Sequence, residues 1–190
     1  SDASRPGEFD LIARYFAPIA GPGGLGLVDD AALLTPPAGC DLVLTKDMLV
    51  AGVHFFPDDP PDSIARKALR VNLSDLAAKG AEPLGFLLGL GLPKDWREEW
   101  LAAFARGLGE DAAAYACPLL GGDTVSSPDR LMLSITALGS VPNGAMLRRA
   151  GGRAGDLLYV SGLIGAAAMG LHLRRPEAPD WRAALSPATV

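Results

Sequence analysis

The period of the apolar positions changes several times along this chain, and each change marks an element. Leu11, Ile12, Tyr15, Phe16 and Ile19 recur at helical spacing behind Gly7-Glu8-Phe9-Asp10. That spacing predicts an amphipathic helix over 8–16, stopped ahead of Pro18. A glycine-rich loop from Gly21 to Gly26 then runs into Asp29-Asp30 and a short apolar strand over 31–34. Gly21, Gly23 and Gly26 satisfy a dinucleotide fingerprint literally, but no strand precedes them and no helix clearly follows, so a Rossmann turn is rejected.

Residues 41–50 read as a buried strand that carries Thr45 and Asp47 towards its C-terminal end, followed by Gly52-Val53-His54-Phe55-Phe56. After a turn at 57–61, Asp62-Ser63 is a good N-cap for a long helix that Gly80 ends. That helix sets Ile64, Ala68, Val71 and Asp75 along one face, with Asn72 one turn before Asp75. Asp75 is therefore expected to lie against the core. A buried carboxylate needs a hydrogen bond, a cation or a metal, so Lys67, Lys79 and a metal ion are all open as its partner.

Further strands are expected over 84–92, 119–124 and 131–141, with a helix over 95–116 whose apolar side carries Trp96, Trp100, Leu101, Phe104 and Leu108. The order, α, β, β, α, β, α, β, β, places the chain in the α/β class. Pro142-Asn143-Gly144 and the Arg/Gly-rich stretch to Asp156 read as a linker. One strand over 157–162 and an Ala-rich helix follow. They are too little to enclose a core, so the chain is expected to stop inside a second domain: 1–145 is one domain, 146–190 a linker and the start of another.

Composition narrows the function. The 190 residues are 49% hydrophobic and only 6% aromatic, with 23 Gly and 16 Pro, which suits a compact domain with many tight turns. A net charge of −5 without a basic face argues against nucleic-acid binding, so an anionic ligand would have to be held through metal ions, helix N-termini or single basic residues. Cys40 and Cys117 show no metal-ligand or disulfide spacing, and no apolar run approaches a membrane span. A cytoplasmic protein without a membrane partner is the expectation.

The acids Asp29/Asp30, Asp47, Asp75 and Asp123 fall in different segments, most with Gly nearby. Joined by the hydroxyl of Thr45, they form an oxygen-donor set suited to a hard cation, above all Mg²⁺. Zinc is disfavoured without a His/Cys cluster. In an acidic chain, bridging Mg²⁺ ions explain how carboxylates come to bind a phosphate ligand, and phosphoryl transfer needs little beyond positioning and charge. Each acid alone reads more readily as a cap or turn residue, and only the set points to a metal. No Walker A sequence, serine nucleophile elbow or paired-carboxylate glycosidase pattern is present.

Several stretches together resemble the thiamine-monophosphate kinase family, within the larger group with aminoimidazole-ribonucleotide synthetase-like domains. They are Gly7-Glu8-Phe9-Asp10-Leu11-Ile12, Asp29-Asp30-Ala31-Ala32-Leu33-Leu34, Thr45-Lys46-Asp47-Met48 through His54-Phe55, Val71-Asn72-Leu73-Ser74-Asp75-Leu76-Ala77-Ala78-Lys79-Gly80, and Leu120-Gly121-Gly122-Asp123-Thr124. The resemblance spans Gly7 to about Gly170. It implies an α+β mixed sheet with helices on one side, and ATP-dependent phosphorylation of thiamine monophosphate to thiamine diphosphate by direct in-line transfer. A homodimer binding ATP and several Mg²⁺ ions is implied too. By motif, Asp30, Thr45, Asp47, Asp75 and Asp123 resemble metal ligands, Gly122, Asp123 and Arg149 nucleotide contacts, and His54 a substrate contact; Tyr115 is either a nucleotide contact or core.

Two departures stand out. Lys46 occupies a position where the family usually has Thr, tolerable if that position ligates through its carbonyl and otherwise able to displace a metal. Val125-Ser126-Ser127-Pro128 replaces Thr-Arg-Gly-Pro and removes one arginine. Another ATP-using enzyme of the same group, or a non-catalytic metal-binding or dimerisation fragment, are the alternatives.

Overall fold

A computed structural model describes residues 6–162 and 164–174. The contacts divide the chain into two compact units, Ser1–Arg149 and Ala150–Val190.

In the first unit, helix α1 (Glu8–Leu11) continues into a wider turn over Ile12–Phe16, where the Ala17 N–H reaches the Ile12 carbonyl, and a tight turn over Ala17–Ile19. Helical backbone thus runs past the expected stop. Pro18 is accommodated because it falls in the first residues of that tight turn, where no helical donor is required of it. Leu11 and Phe16 are buried, and Tyr15 donates to the Glu98 carboxylate at 2.5 Å, tying this segment to a later helix.

The expected strand over 31–34 does not form. Leu33 is two-thirds exposed, and its N–H is taken by the Gly23 carbonyl at 2.8 Å, which closes the glycine loop on itself instead of a sheet edge. The four strands are β1 (Cys40–Val50), β2 (Glu82–Pro93), β3 (Leu119–Ser127) and β4 (Met132–Pro142), in the order β1-β4-β2-β3. β4 is antiparallel to both neighbours, and β3 joins β2 in parallel. The parallel pair is connected through a helix, as a crossover requires.

Helix α2 (Pro61–Ala78) starts two residues earlier than expected. Pro61 opens it well because its missing N–H is not needed there, and the Asp62 carboxylate binds Arg66 one turn on rather than capping the backbone. The helix ends in a Schellman motif: Gly80, at φ +70°, donates to the Ala77 carbonyl at 2.9 Å and Ala81 to that of Leu76 at 2.9 Å. Helix α3 (Glu98–Ala114) is shorter than expected, and Trp96 precedes it in the Pro93–Arg97 turn.

α2 lies on β1 and β4, with α3 beside it. Ile64, Leu69 and Leu76 from α2, Leu101, Phe104 and Leu108 from α3, and Phe86, Leu90 and Ile135 from the sheet form one core. Within the first unit no α-helix lies against the other face of the sheet among the described residues. Leu42, Leu44 and Met48 of β1, Leu87 of β2, Val125 of β3 and Met132 of β4 are exposed on it.

In the second unit the described residues contain α4 (Ala166–Arg174). No strand forms over the described part of 157–162, where Leu157, Leu158 and Tyr159 are largely exposed.

Candidate functional site

Side chains alternate across a strand, so Thr45 and Asp47 leave β1 on the helix-covered side while Lys46 leaves it on the open side. Thr45 Oγ1 donates to Asp75 Oδ2 on α2 at 2.8 Å. Asp75 is exposed, which corrects the expectation of a carboxylate held against the core; the fully buried polar group on that helix is Asn72, whose Nδ2 donates to the Ala68 carbonyl at 3.0 Å. A turn of 100° per residue puts Asn72 in line with Leu69 and Leu76 and leaves Asp75 at the margin of the stripe. Asn72 Oδ1 is buried without a hydrogen-bond partner.

Neither lysine neutralises Asp75. Lys67 Nζ is bound to the His54 carbonyl, and among the described residues Asp75 forms no ion pair with Lys79 or any other cation. Asp47 is half-buried and also has no cationic partner among them. Thr45 and Asp75 thus meet across β1 and α2, with Asp47 two residues further along the same face of β1, and neither acid has a cationic partner among the described residues.

Asp123 and Asp30 lie elsewhere. Asp123 pairs with Gly89 across β3 and β2, which places it on the open face, and Gly122 is exposed beside it. Asp30 is exposed in the loop after the glycine turn; that turn packs on β3 through the Ala20–Leu119 bridge and the Gly21 N–H to the Leu119 carbonyl at 2.8 Å. β1 and β3 are opposite edges of the sheet, three strand spacings or roughly 14 Å apart. Among the described residues no three His, Cys, Asp or Glu side chains gather closely enough to hold a metal ion. The candidate donors therefore fall apart within one chain: Thr45, Asp47 and Asp75 belong to β1 and α2, Gly122 and Asp123 to β3 at the opposite edge, and Asp30 to the loop after the glycine turn. The donors are all hard oxygens and none forms an ion pair with a described cation, which fits Mg²⁺ chemically.

His54 sits in the turn after β1. Its Nδ1 accepts from the Val50 N–H at 3.0 Å, so the neutral ring carries its proton on Nε2, and the residue is exposed. Lys67 anchors the carbonyl of the same residue. Arg149 is exposed in a single tight turn, Arg149–Gly151. Tyr115 is not core: it is 45% exposed, and the Arg70 guanidinium lies 5.8 Å from its ring centroid. Arg70 is itself clamped by Asp111 through two bonds of 2.6 and 2.8 Å.

Lys46 donates to Ser134 Oγ across the open face. Its ammonium is thus turned away from the Thr45–Asp75 pair, and displacement of a metal at that pair is not what this arrangement produces.

Sequence reasoning missed the anchoring lysine Lys67, for which helix periodicity holds no signal, and the clamp of Arg70 by Asp111. The i, i+4 spacing of Trp96 and Trp100 was a visible signal, but it reads equally as core packing.

The model of AIR synthase related proteins, N-terminal domain, matches residues 28–141. A thiamine-monophosphate kinase of Caulobacter vibrioides is 48% identical over 180 residues, 94% of this chain and 51% of that protein. The crystal structure of a thiamine-monophosphate kinase from Stenotrophomonas maltophilia K279a superposes with a TM-score of 0.75 at 44% identity, covering 85% of this chain and 50% of that one. A structure of AaThiL complexed with AMPPCP and TMP matches at a TM-score of 0.69 and 29% identity, over 97% of this chain and 59% of that one. The chain spans about half the length of the curated relatives it matches.

Proposed function

The chain belongs to the AIR synthase related family through that family's N-terminal domain, and on this premise we propose that it serves the ATP-dependent phosphorylation of thiamine monophosphate to thiamine diphosphate by direct in-line transfer. Similarity to thiamine-monophosphate kinases over nearly its whole length supports the substrate class. The observation that carries the site is Asp75, an exposed carboxylate that takes a hydroxyl hydrogen bond from Thr45 and no cation from the described chain. Such acids suit a ligand that brings its own positive charge.

In this reading Asp30, Thr45, Asp47, Asp75 and Asp123 hold Mg²⁺, which when bound offsets the charge of the transferring phosphoryl group. Gly122 and Asp123 meet the nucleotide phosphates and Arg149 adds a fixed cation. His54, with Nδ1 occupied by Val50, offers its Nε2–H to an oxygen of the substrate. The 1–145 region is the ATP-binding and dimerisation domain.

The protein is a homodimer in this reading, in which a second copy covers the open, apolar face of the sheet; the division of the donor set within one chain supports it. The protein is cytoplasmic in this reading and has no nucleic-acid partner, in line with its net charge of −5. Among the described residues no helix is long and apolar enough to cross a membrane.

Incubating the full-length protein with ATP, Mg²⁺ and thiamine monophosphate tests the proposal: thiamine diphosphate should form, and none, under conditions where a known kinase of this family works, refutes it. A second reading, a metal-binding or dimerisation module without catalysis, is favoured by the lack of an assembled cluster among the described residues. That reading predicts no Mg²⁺-dependent ATP binding. A substrate panel separates other ATP-using enzymes of the group.

A further inference from the structure

The open face of the sheet is mostly apolar, and two charges of opposite sign stand on it in adjoining cross-strand rows. Register sets Met48, Ser134, Gly89 and Asp123 in one row and Lys46 in the row beside it. Lys46 is the one basic residue in the four strands. Its ammonium leaves its own row and donates to Ser134 Oγ, so it ends in the row that holds Asp123. Ser134 and Asp123 are two strands apart, roughly 10 Å.

Gly89 stands between them without a side chain. A Cβ added there would lie 3.3 Å from Ser134 Cβ and 3.9 Å from its Oγ, so a larger residue would fill the space that separates the ammonium from the carboxylate. Instead a cavity of about 170 Å³ opens over Gly89, with Ser134 and Asp123 on its lining and Met48, Val125 and Met132 among its walls. That is room for a small group such as a phosphoryl, not for a whole nucleotide. Asp123 forms no ion pair among the described residues.

An ammonium held on one side of such a gap governs what can enter it. It attracts a phosphate oxygen and opposes a second cation at Asp123, and apolar walls weaken the screening of both effects. We infer that Lys46 is a specificity-determining residue of the nucleotide phosphate site: its ammonium, held by Ser134, takes the place of one divalent ion beside Asp123 and binds a phosphate oxygen there. The inference rests on the reading of Asp123 as a nucleotide contact. It does not involve the Thr45–Asp75 pair, which lies on the other side of β1.

Three full-length proteins test it: the parent, Lys46→Thr, which restores the residue usual in the family, and Lys46→Arg, which keeps the charge. AMPPCP is titrated calorimetrically in EDTA, and the Mn²⁺ bound at saturating AMPPCP is counted by equilibrium dialysis. Lys46→Thr should lower the metal-free affinity by about tenfold and bind one more Mn²⁺ per chain than the parent. Lys46→Arg should match the parent in both. No metal-free binding by the parent, an unchanged affinity or an equal Mn²⁺ count in Lys46→Thr, or a Lys46→Arg that behaves as Lys46→Thr does, overturns the inference. Failure of the parent to bind AMPPCP even with Mn²⁺ overturns the nucleotide reading as well, whereas equal binding by parent and Lys46→Thr overturns this inference alone.

Discussion

Adjacent glycines next to Asp123 on β3 should respond very unequally to the same methyl group. At Gly122 an added Cβ would lie 1.9 Å from the Leu88 carbonyl oxygen and 2.8 Å from its carbon, both backbone of the neighbouring strand. Restoring an ordinary contact of 3.4 Å asks the pair to open by 3.4 − 1.9 = 1.5 Å. No flexible side chain is available to absorb that. Overpacking of this kind costs about 1–3 kcal/mol, and a weakened ladder bond adds about 1. Gly122→Ala should therefore lose about 2–4 kcal/mol, or roughly 4–16 °C in Tm for a chain of this size. At Gly121 the nearest atom to an added Cβ is Leu87 Cδ2 at 3.5 Å, an ordinary contact, so Gly121→Ala should stay within about 0.5 kcal/mol of the parent. Urea and thermal unfolding of the two variants decide the matter. Equal losses, or a larger loss at Gly121, would refute the placement of β3 against β2. Because the shift also moves Asp123, Gly122→Ala should lose Mg²⁺-dependent nucleotide binding while Gly121→Ala keeps the parent's fold.

Three further outcomes are expected. Arg70→Met strips both hydrogen bonds from the nearly buried Asp111, and since the guanidinium itself is half-exposed the cost should be about 1–3 kcal/mol in chemical unfolding, partly restored by adding Asp111→Leu; no change in unfolding would contradict the clamp. Burial pushes the Cys117 thiol up to about 11, so at pH 8 a maleimide should label the half-buried Cys40 in the native chain and reach Cys117 only on unfolding; equal native labelling would count against that burial. The hydrogen bond from Tyr15, aided by Arg14, holds the Glu98 carboxyl below its ordinary range. A depressed carboxyl stabilises the fold above its unfolded pKa and loses that contribution as pH falls through the folded value. Glu98→Gln should therefore flatten the acid limb of a stability–pH curve, and an unaltered limb would rule out this contribution.

Much of the fold was legible because its signals are local. β1, β2 and β4 are apolar runs bounded by turn residues, and Gly80 marks the end of α2 as a left-handed glycine should. What sequence pattern could not supply was tertiary. The apolar run at 31–34 has the composition of a strand, yet its Leu33 N–H is used by the glycine loop and no edge is offered to it. α2 begins at Pro61, and Asp62 lies inside it paired with Arg66 instead of capping it, a competition that a capping rule cannot see.

The acids were picked out by type, and the helix wheel misplaced one of them. Asn72, not Asp75, takes the buried position, because the stripe is centred a fraction of a turn from where Ile64, Ala68 and Val71 suggest. The division of the donor set between opposite edges is equally invisible in one dimension, since it depends on strand order rather than on spacing.

The central claim is that Asp75 is kept for a metal-borne ligand and not for the fold. Calorimetric titration of Mg²⁺ and ATP into full-length protein and its Asp75→Asn variant, beside thermal unfolding of both, tests it directly. Asp75 is exposed and the amide oxygen of Asn can still accept from Thr45, so stability should change by less than about 0.5 kcal/mol. Mg²⁺-dependent nucleotide affinity should fall by more than about tenfold. Unchanged affinity together with a lowered Tm would contradict the claim and return Asp75 to a structural role.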